Sequence, residues 1–319
     1  MRAAAKSIPP PSPARVIVVG PASSPLPAPA AMLDRIAYVD HLGGSAPLRQ
    51  HDVVVVRSDA QASAERTVEL LAGMPANERP RVVVTGEVTD EALHALIEQH
   101  EVAHVMAWRG GGAEPDLSVT LEKLLSNDLF GMGRYFEQDS DPARFLCRSA
   151  TQREELLEWV RTYAGKHRIR SRVMDILLVA TDEMITNALY NAPTDGRGNH
   201  PYAGISRSVP VTLEGPVPIE IELRCDGQRL GISTVDPFGS LKPEVVLGSL
   251  RRCFKKPEPR PGSTGGAGLG LYLLLGSLSH LIFNVALGRR TELIGLMDIA
   301  GNRGRAAAAG KSFNLFVER

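Results

Sequence analysis

Two kinds of apolar pattern divide the chain. In the first half, short continuous apolar runs alternate with stretches of helical periodicity. "RVIVVG" (15–20), "DVVVVRS" (52–58), "PRVVVTG" (80–86) and "VAHVMAW" (102–108) predict buried strands, and "IAYVD" (36–40) a weaker one. Helical patterns cover 60–73, 89–100 and 117–128. Unbroken apolar strands alternating with helices predict a parallel sheet covered on both faces. Residues 14–130 are therefore expected to form a flavodoxin-like, doubly wound α/β domain. Residues 1–13, rich in Pro and Ala, read as a disordered tail. Residues 131–150, with helix-breaking Gly and Pro, read as a linker.

The second half, 151–319, begins with an amphipathic helix over 151–165, where Thr151 and Glu154 suggest a capping box. A longer helix starts near 171 and ends at Pro193. "PIEIELRC", Asp226-Gly227 and "RLGISTV" predict a hairpin. Late in the chain "GSTGGAGLGLYLLL" (262–275) packs glycines ahead of an apolar, helix-like run that continues as "GSLSHLIF".

Composition adds bounds. The 319 residues suit about two domains, and 43% apolar with 23% charged residues suit a globular protein. Lys plus Arg equals Asp plus Glu at 36 each, so no basic excess argues for nucleic acid as a partner. Cys147, Cys225 and Cys253 are far apart and show no metal-ligand spacing, which fits a reduced, cytoplasmic compartment. No apolar run approaches 18 residues, and no signal-peptide core is expected.

Candidate chemistry lies in the second half. Glu183, Asn187 and Asn191 are each four apart, which stacks them on one face of the long helix. A solvent-facing polar stripe is the bland alternative. Asp236 ends a predicted strand and begins the turn Pro237-Phe238-Gly239-Ser240. A carboxylate there can accept from an exocyclic amine, or simply close an Asx turn. Backbone N–H groups of a glycine run that opens a helix form an anion site. A dinucleotide-binding fold does not fit, because "RRCFKKPEPRPGST" stands where its strand would be.

In the first half the order of elements resembles a response-regulator receiver. The acidic chemistry of that family is missing. Gly20-Pro21-Ala22 follows the first strand, where an acidic pair would hold Mg²⁺, and Arg57 stands at the place of the phospho-accepting Asp. The resemblance implies a pseudo-receiver, an interaction or dimerisation module.

Residues 145–319 resemble the GHKL ATPase superfamily of gyrase, Hsp90-type chaperones, histidine kinases and MutL. "DEMITNALYNAP" resembles its N box, "VDPFGSL" its first glycine box, "GGAGLGLY" its second, and Thr291 in "GRRTELIGL" its late adenine-side Thr. The implied fold is an α/β sandwich, a mixed sheet covered by helices on one face. The implied cofactors are ATP and Mg²⁺. By resemblance, Asn187 would coordinate Mg²⁺, Glu183 would be the catalytic base, and Asn191 would lie near the phosphates. Asp236, with Gly239 in its turn, would accept from adenine N6 with support from Thr291. Gly266, Gly268, Gly270 and Leu271 would wrap the phosphates, and 242–265 would form a lid carrying Arg251, Arg252, Lys255, Lys256 and Arg260. The first glycine box departs from the family pattern, with Phe238 and Ser240 at two glycine places.

The resemblance implies a bacterial signalling protein, an anti-sigma-like serine/threonine kinase or an ATP-dependent switch, whose partners are another signalling protein or a second copy of itself. A histidine-kinase-derived module is the further alternative. No H-E-x-x-x-P motif lies ahead of the domain; His94 reads as a surface residue and His167 as a lone one. A degenerate domain that binds no nucleotide is the blandest alternative.

Overall fold

Runs of valine set the first strands. The computed structural model describes residues 14–19, 30–39, 52–57, 73, 81–86, 88–107, 115–195, 197–254, 269–300 and 310–319. Within them, β1 (Val16–Val19), β3 (Val53–Arg57) and β5 (His104–Ala107) are buried throughout, and β4 (Arg81–Gly86) over its last four residues. β-Branched residues pack well on a pleated surface that is covered on both faces. β2 (Ile36–Val39) is the half-buried edge. These five strands are all parallel and stand in the order 2-1-3-4-5. Arg57 ends β3 and is buried beside Thr85 of β4.

The sheet does not stop at β5. β11 (Ser312–Val317) pairs antiparallel with it, Phe313 opposite Val105 and Asn314 opposite His104. β11 runs parallel to β9 (His280–Ala286). β10 (Arg290–Asp298), β8 (Arg229–Asp236), β7 (Ile219–Cys225) and β6 (Asp141–Cys147) follow, each antiparallel to the one before. The protein is thus a mixed α/β structure whose described strands form one eleven-stranded sheet. The stretch that reads as a linker contains a 3₁₀ turn, Met132–Tyr135, with Met132 and Tyr135 buried, and then β6.

On one face lie α1 (Asp90–His100), α3 (Arg153–Lys166), α4 (Ser171–Thr186), α5 (Pro243–Phe254) and α6 (Leu269–Ser277), whose apolar sides share one core. The other face holds α2 (Pro115–Ser126) and residues 129–136. There Leu117, Leu121 and Leu124 share a core with Val53 and Val55 of the first half and Ile282, Ile294 and Phe316 of the second. Under α2 the side chain of Lys123 is fully buried, its Nζ 3.4 Å from Asn284 Oδ1. Asn284 Nδ2 and Gly131 N both donate to Glu292 Oε2, at 2.8 and 2.9 Å. Burial pushes the Lys123 ammonium down to about 7 and the Glu292 carboxyl upward.

Three expectations are corrected. The capping box is formed by Ser149 and Gln152, not Thr151 and Glu154; Ser149 has the extended backbone a cap needs. The run after the glycines does not stay helical. α6 ends at Ser277, and His280–Ala286 is recruited by hydrogen bonding to β10 and β11 on its two sides. His94 is half-buried and not a plain surface residue, and His167 is not alone. His94 stacks on Phe254 of α5 with ring centroids 3.8 Å apart, and His167 Nε2 lies 3.0 Å from Asp141 Oδ2. The expected tail 1–13, all but the last residue of the helix at 60–73, and lid residues 255–265 lie outside the described residues.

Candidate functional site

The polar row on α4 arises where a buried helix runs short of apolar positions. Leu177, Ala180, Met184 and Ile185 face the core, leaving Glu183 half-buried at the margin. Beyond Thr186 the helix loosens into a π turn, Asn187–Asn191, closed by Ala192 N donating to Asn187 O at 2.9 Å. Pro193 follows and has no N–H with which to continue the ladder. π turns of this kind recur at functional sites, because the wider turn re-aims its side chains. Here Asn187 and Asn191 stay together: Asn191 Nδ2 donates to Asn187 Oδ1 at 2.6 Å.

Glu183 meets the start of α6. A β-carbon on Gly270 would overlap Glu183 Oε2, so a larger residue there would make the carboxylate swing aside; with glycine the carboxylate rests against the first turn of α6. Burial raises the affinity of Glu183 for its proton, Asp182 adds to that, and Arg207 opposes it. A carboxyl raised in this way suits proton transfer near neutrality better than a fully solvated one.

Asp236 ends β8 in a buried position. Its Oδ1 accepts from Phe238 N at 2.9 Å and Gly239 N at 3.3 Å, which is the Asx turn. Burial nevertheless pushes its carboxyl up to about 6, against the pull of those two N–H groups. Thr291 lies directly opposite it in the β10–β8 register, hence on the same sheet face. The Thr291 hydroxyl is close enough to favour the charged carboxylate, yet it makes no hydrogen bond of ordinary geometry. The hydroxyl of Thr234, two residues before Asp236 and so on the same face, is also buried without a partner. A buried carboxylate flanked by two unsatisfied hydroxyls is the kind of polar cluster that a ligand edge completes.

Gly239 shapes the turn. Its φ is +58°, and a β-carbon would overlap Ala286 O and lie 2.5 Å from Arg289 N. Its carbonyl accepts from Gly288 N at 2.9 Å, locking the turn to the β9–β10 hairpin. Ser240 donates from Oγ to Ala192 O at 2.7 Å. This bond joins the Asp236 turn to the end of the Asn-bearing helix.

The structure thus brings Glu183, Asn187 and Asn191 into one row, sets Gly270 against Glu183, and sets Asp236 beside Thr291 and Gly239. Leu271 packs against the core instead of opening toward solvent. Gly266 and Gly268 lie outside the described residues. Arg207, Tyr190, Thr234 and Ser240 are members that sequence reasoning missed. Arg207 sits in a Pro- and Gly-rich stretch without periodicity, so no pattern singles it out. Among the described residues no group of three or more His, Cys, Asp or Glu could hold a metal ion. Lone amide oxygens such as Asn187 Oδ1 remain compatible with Mg²⁺, which keeps several waters and takes substrate phosphates as ligands. No helix among the described residues is long and apolar enough to cross a membrane.

No known protein-family model matches this chain, and comparison with curated proteins also finds no match.

Proposed function

We propose that residues 151–319 form a GHKL-type domain that binds ATP with Mg²⁺, and that the protein acts in bacterial signalling as an anti-sigma-like serine/threonine kinase or an ATP-dependent switch. The observation that carries this reading is the register of β10 on β8. It seats Thr291 beside the buried carboxylate of Asp236, on the sheet face that α4 covers. Asp236 would accept from the exocyclic amine of adenine, and the hydroxyls of Thr234 and Thr291 would find the partners they lack. Asn187 would hold Mg²⁺ through Oδ1, giving up its hydrogen bond from Asn191. Mg²⁺ supplies charge neutralisation along the phosphates. Glu183 would orient a hydroxyl or water and hold its proton.

The parallel order 2-1-3-4-5 supports a flavodoxin-like, receiver-related first half that contacts a partner protein. Asp52 does not offer a substitute acceptor, because Arg15 Nη2 binds its carboxylate at 2.6 Å in a fully buried position. The switch reading has an observation of its own. α1 of the first half packs on α5 through the His94–Phe254 stack and an Arg251–Glu101 ion pair at 2.8 Å. A displacement of α5 by nucleotide would therefore reach the first half directly.

Incubation with labelled ATP and Mg²⁺, with and without candidate partner proteins, separates the readings. Label on protein supports a kinase, free phosphate an ATPase, and bound but unchanged ATP a switch. Asn187→Ala should bind ATP without its Mg²⁺ dependence, and a metal titration unchanged in that variant sinks the assignment.

A further inference from the structure

We propose that Arg207 reads the terminal phosphate of the nucleotide and so sets a preference for nucleoside triphosphate over diphosphate. The inference rests on the reading that residues 183–191, 236 and 291 hold a nucleoside triphosphate. It concerns a residue outside every motif that suggested that reading.

Arg207 belongs to the irregular segment between the π turn and β7. Its guanidinium lies over the ring of Tyr190, 4.5 Å from the centroid. Its Nη2 donates to Asn191 Oδ1 at 3.1 Å. Tyr190 in turn donates from its hydroxyl to Val209 O at 2.8 Å. Residues 207–209 are therefore pinned to the π turn by one stack and two hydrogen bonds. That pinning holds an exposed arginine in place, removing much of the side-chain entropy that a free one would lose on binding.

Among the described residues Arg207 forms no ion pair with a carboxylate within 4 Å. A guanidinium carries five N–H donors in a planar fork, and here one bond to an amide leaves the others for an anion. Its charge acts on Glu183, where it opposes the effect of burial. The N-terminus of α6 also meets Glu183, through Gly270. Two sources of positive potential, a fixed cation and a helix N-terminus, thus converge on one wall of the site. Hydrogen bonds run from Arg207 to Asn191 and from Asn191 to Asn187. The cation therefore stands next to the amide that would carry Mg²⁺. A doubly charged terminal phosphate matches this arrangement better than the inner phosphates do, because arginine can bind its free oxygens in pairs.

Calorimetric titration of the full chain with ATP, ADP and AMP in Mg²⁺ tests the inference, using the wild type, Arg207→Ala and Arg207→Lys. The wild type should prefer ATP to ADP. Arg207→Ala should weaken ATP about tenfold or more, the loss typical of one charge-assisted hydrogen bond, and leave ADP and AMP nearly unchanged. Arg207→Lys should recover part of the loss, since it keeps the charge without the fork. A thermal melt matching the wild type shows that the variant folds. An unchanged ATP-to-ADP ratio in Arg207→Ala overturns the inference and leaves the nucleotide reading standing. Equal weakening of all three nucleotides also overturns it. No nucleotide binding by the wild type removes the nucleotide reading and this inference with it.

Discussion

Replacing Asp236 with Asn should make the protein more stable and its nucleotide binding weaker. Asp236 is 7% exposed, and burial raises its carboxyl from the ordinary 3.8 to about 6. A carboxyl raised in the folded state carries a penalty at pH above both values, and protonation relieves it as the pH falls. The difference corresponds to about 3 kcal/mol at pH 7.5, falls to about half of that near pH 5, and vanishes below about pH 4. Asn is isosteric and uncharged. Its Oδ1 can keep the bonds from Phe238 N and Gly239 N, so the turn survives. Thermal or urea unfolding should therefore show Asp236→Asn more stable than wild type at pH 7.5, by up to about 3 kcal/mol, with a smaller gain at pH 5. With Oδ1 held in the turn, the Asn presents its NH₂ to the ligand side. Two donors would then face each other at the adenine amine. The lost charge-assisted bond should weaken ATP about 10- to 100-fold. A variant no more stable at pH 7.5 refutes the burial argument, and unchanged ATP affinity by calorimetry refutes the adenine assignment.

Gly239→Ala should cost at least about 2 kcal/mol in urea denaturation, since its φ of +58° and the overlap with Ala286 O both oppose a β-carbon; a change under about 0.5 kcal/mol would show that the turn yields. Lys123 is depressed to about 7 in the fold, so the unfolded chain binds more protons above that pH and wild-type stability should gain up to about 1.4 kcal/mol per pH unit between 7 and 10. Lys123→Met should lose this gain, which melts at pH 7.5 and 9.5 would reveal. Acetyl phosphate should leave the intact mass unchanged, because Arg57 ends β3 and Asp52 is bound to Arg15; a phosphoryl adduct mapped to Asp52 or any other aspartate of the first half would overturn the pseudo-receiver proposal.

Local pattern was enough to place β1, β3, β4 and β5, because a strand buried on both faces needs an unbroken apolar run and Val53–Val56 has one. It was also enough to group Glu183, Asn187 and Asn191, since helical spacing is a local property. The fate of 280–286 was decided by neighbours: the same apolar run could have continued a helix, and only pairing with β10 and β11 makes it a strand. Partnership across the sheet is likewise invisible locally. Thr291 stands beside Asp236 because of β10–β8 register, and β11 joins the two halves because a strand near the end of the chain returns to β5. Tertiary packing alone placed Arg207 on Tyr190, since no periodicity marks residues 193–218, and it alone stacked His94 on Phe254 across more than 150 residues of chain. Periodicity reports which side of an element is apolar. Which other element covers that side is settled by long-range burial and hydrogen bonding, and the candidate site is built from such contacts.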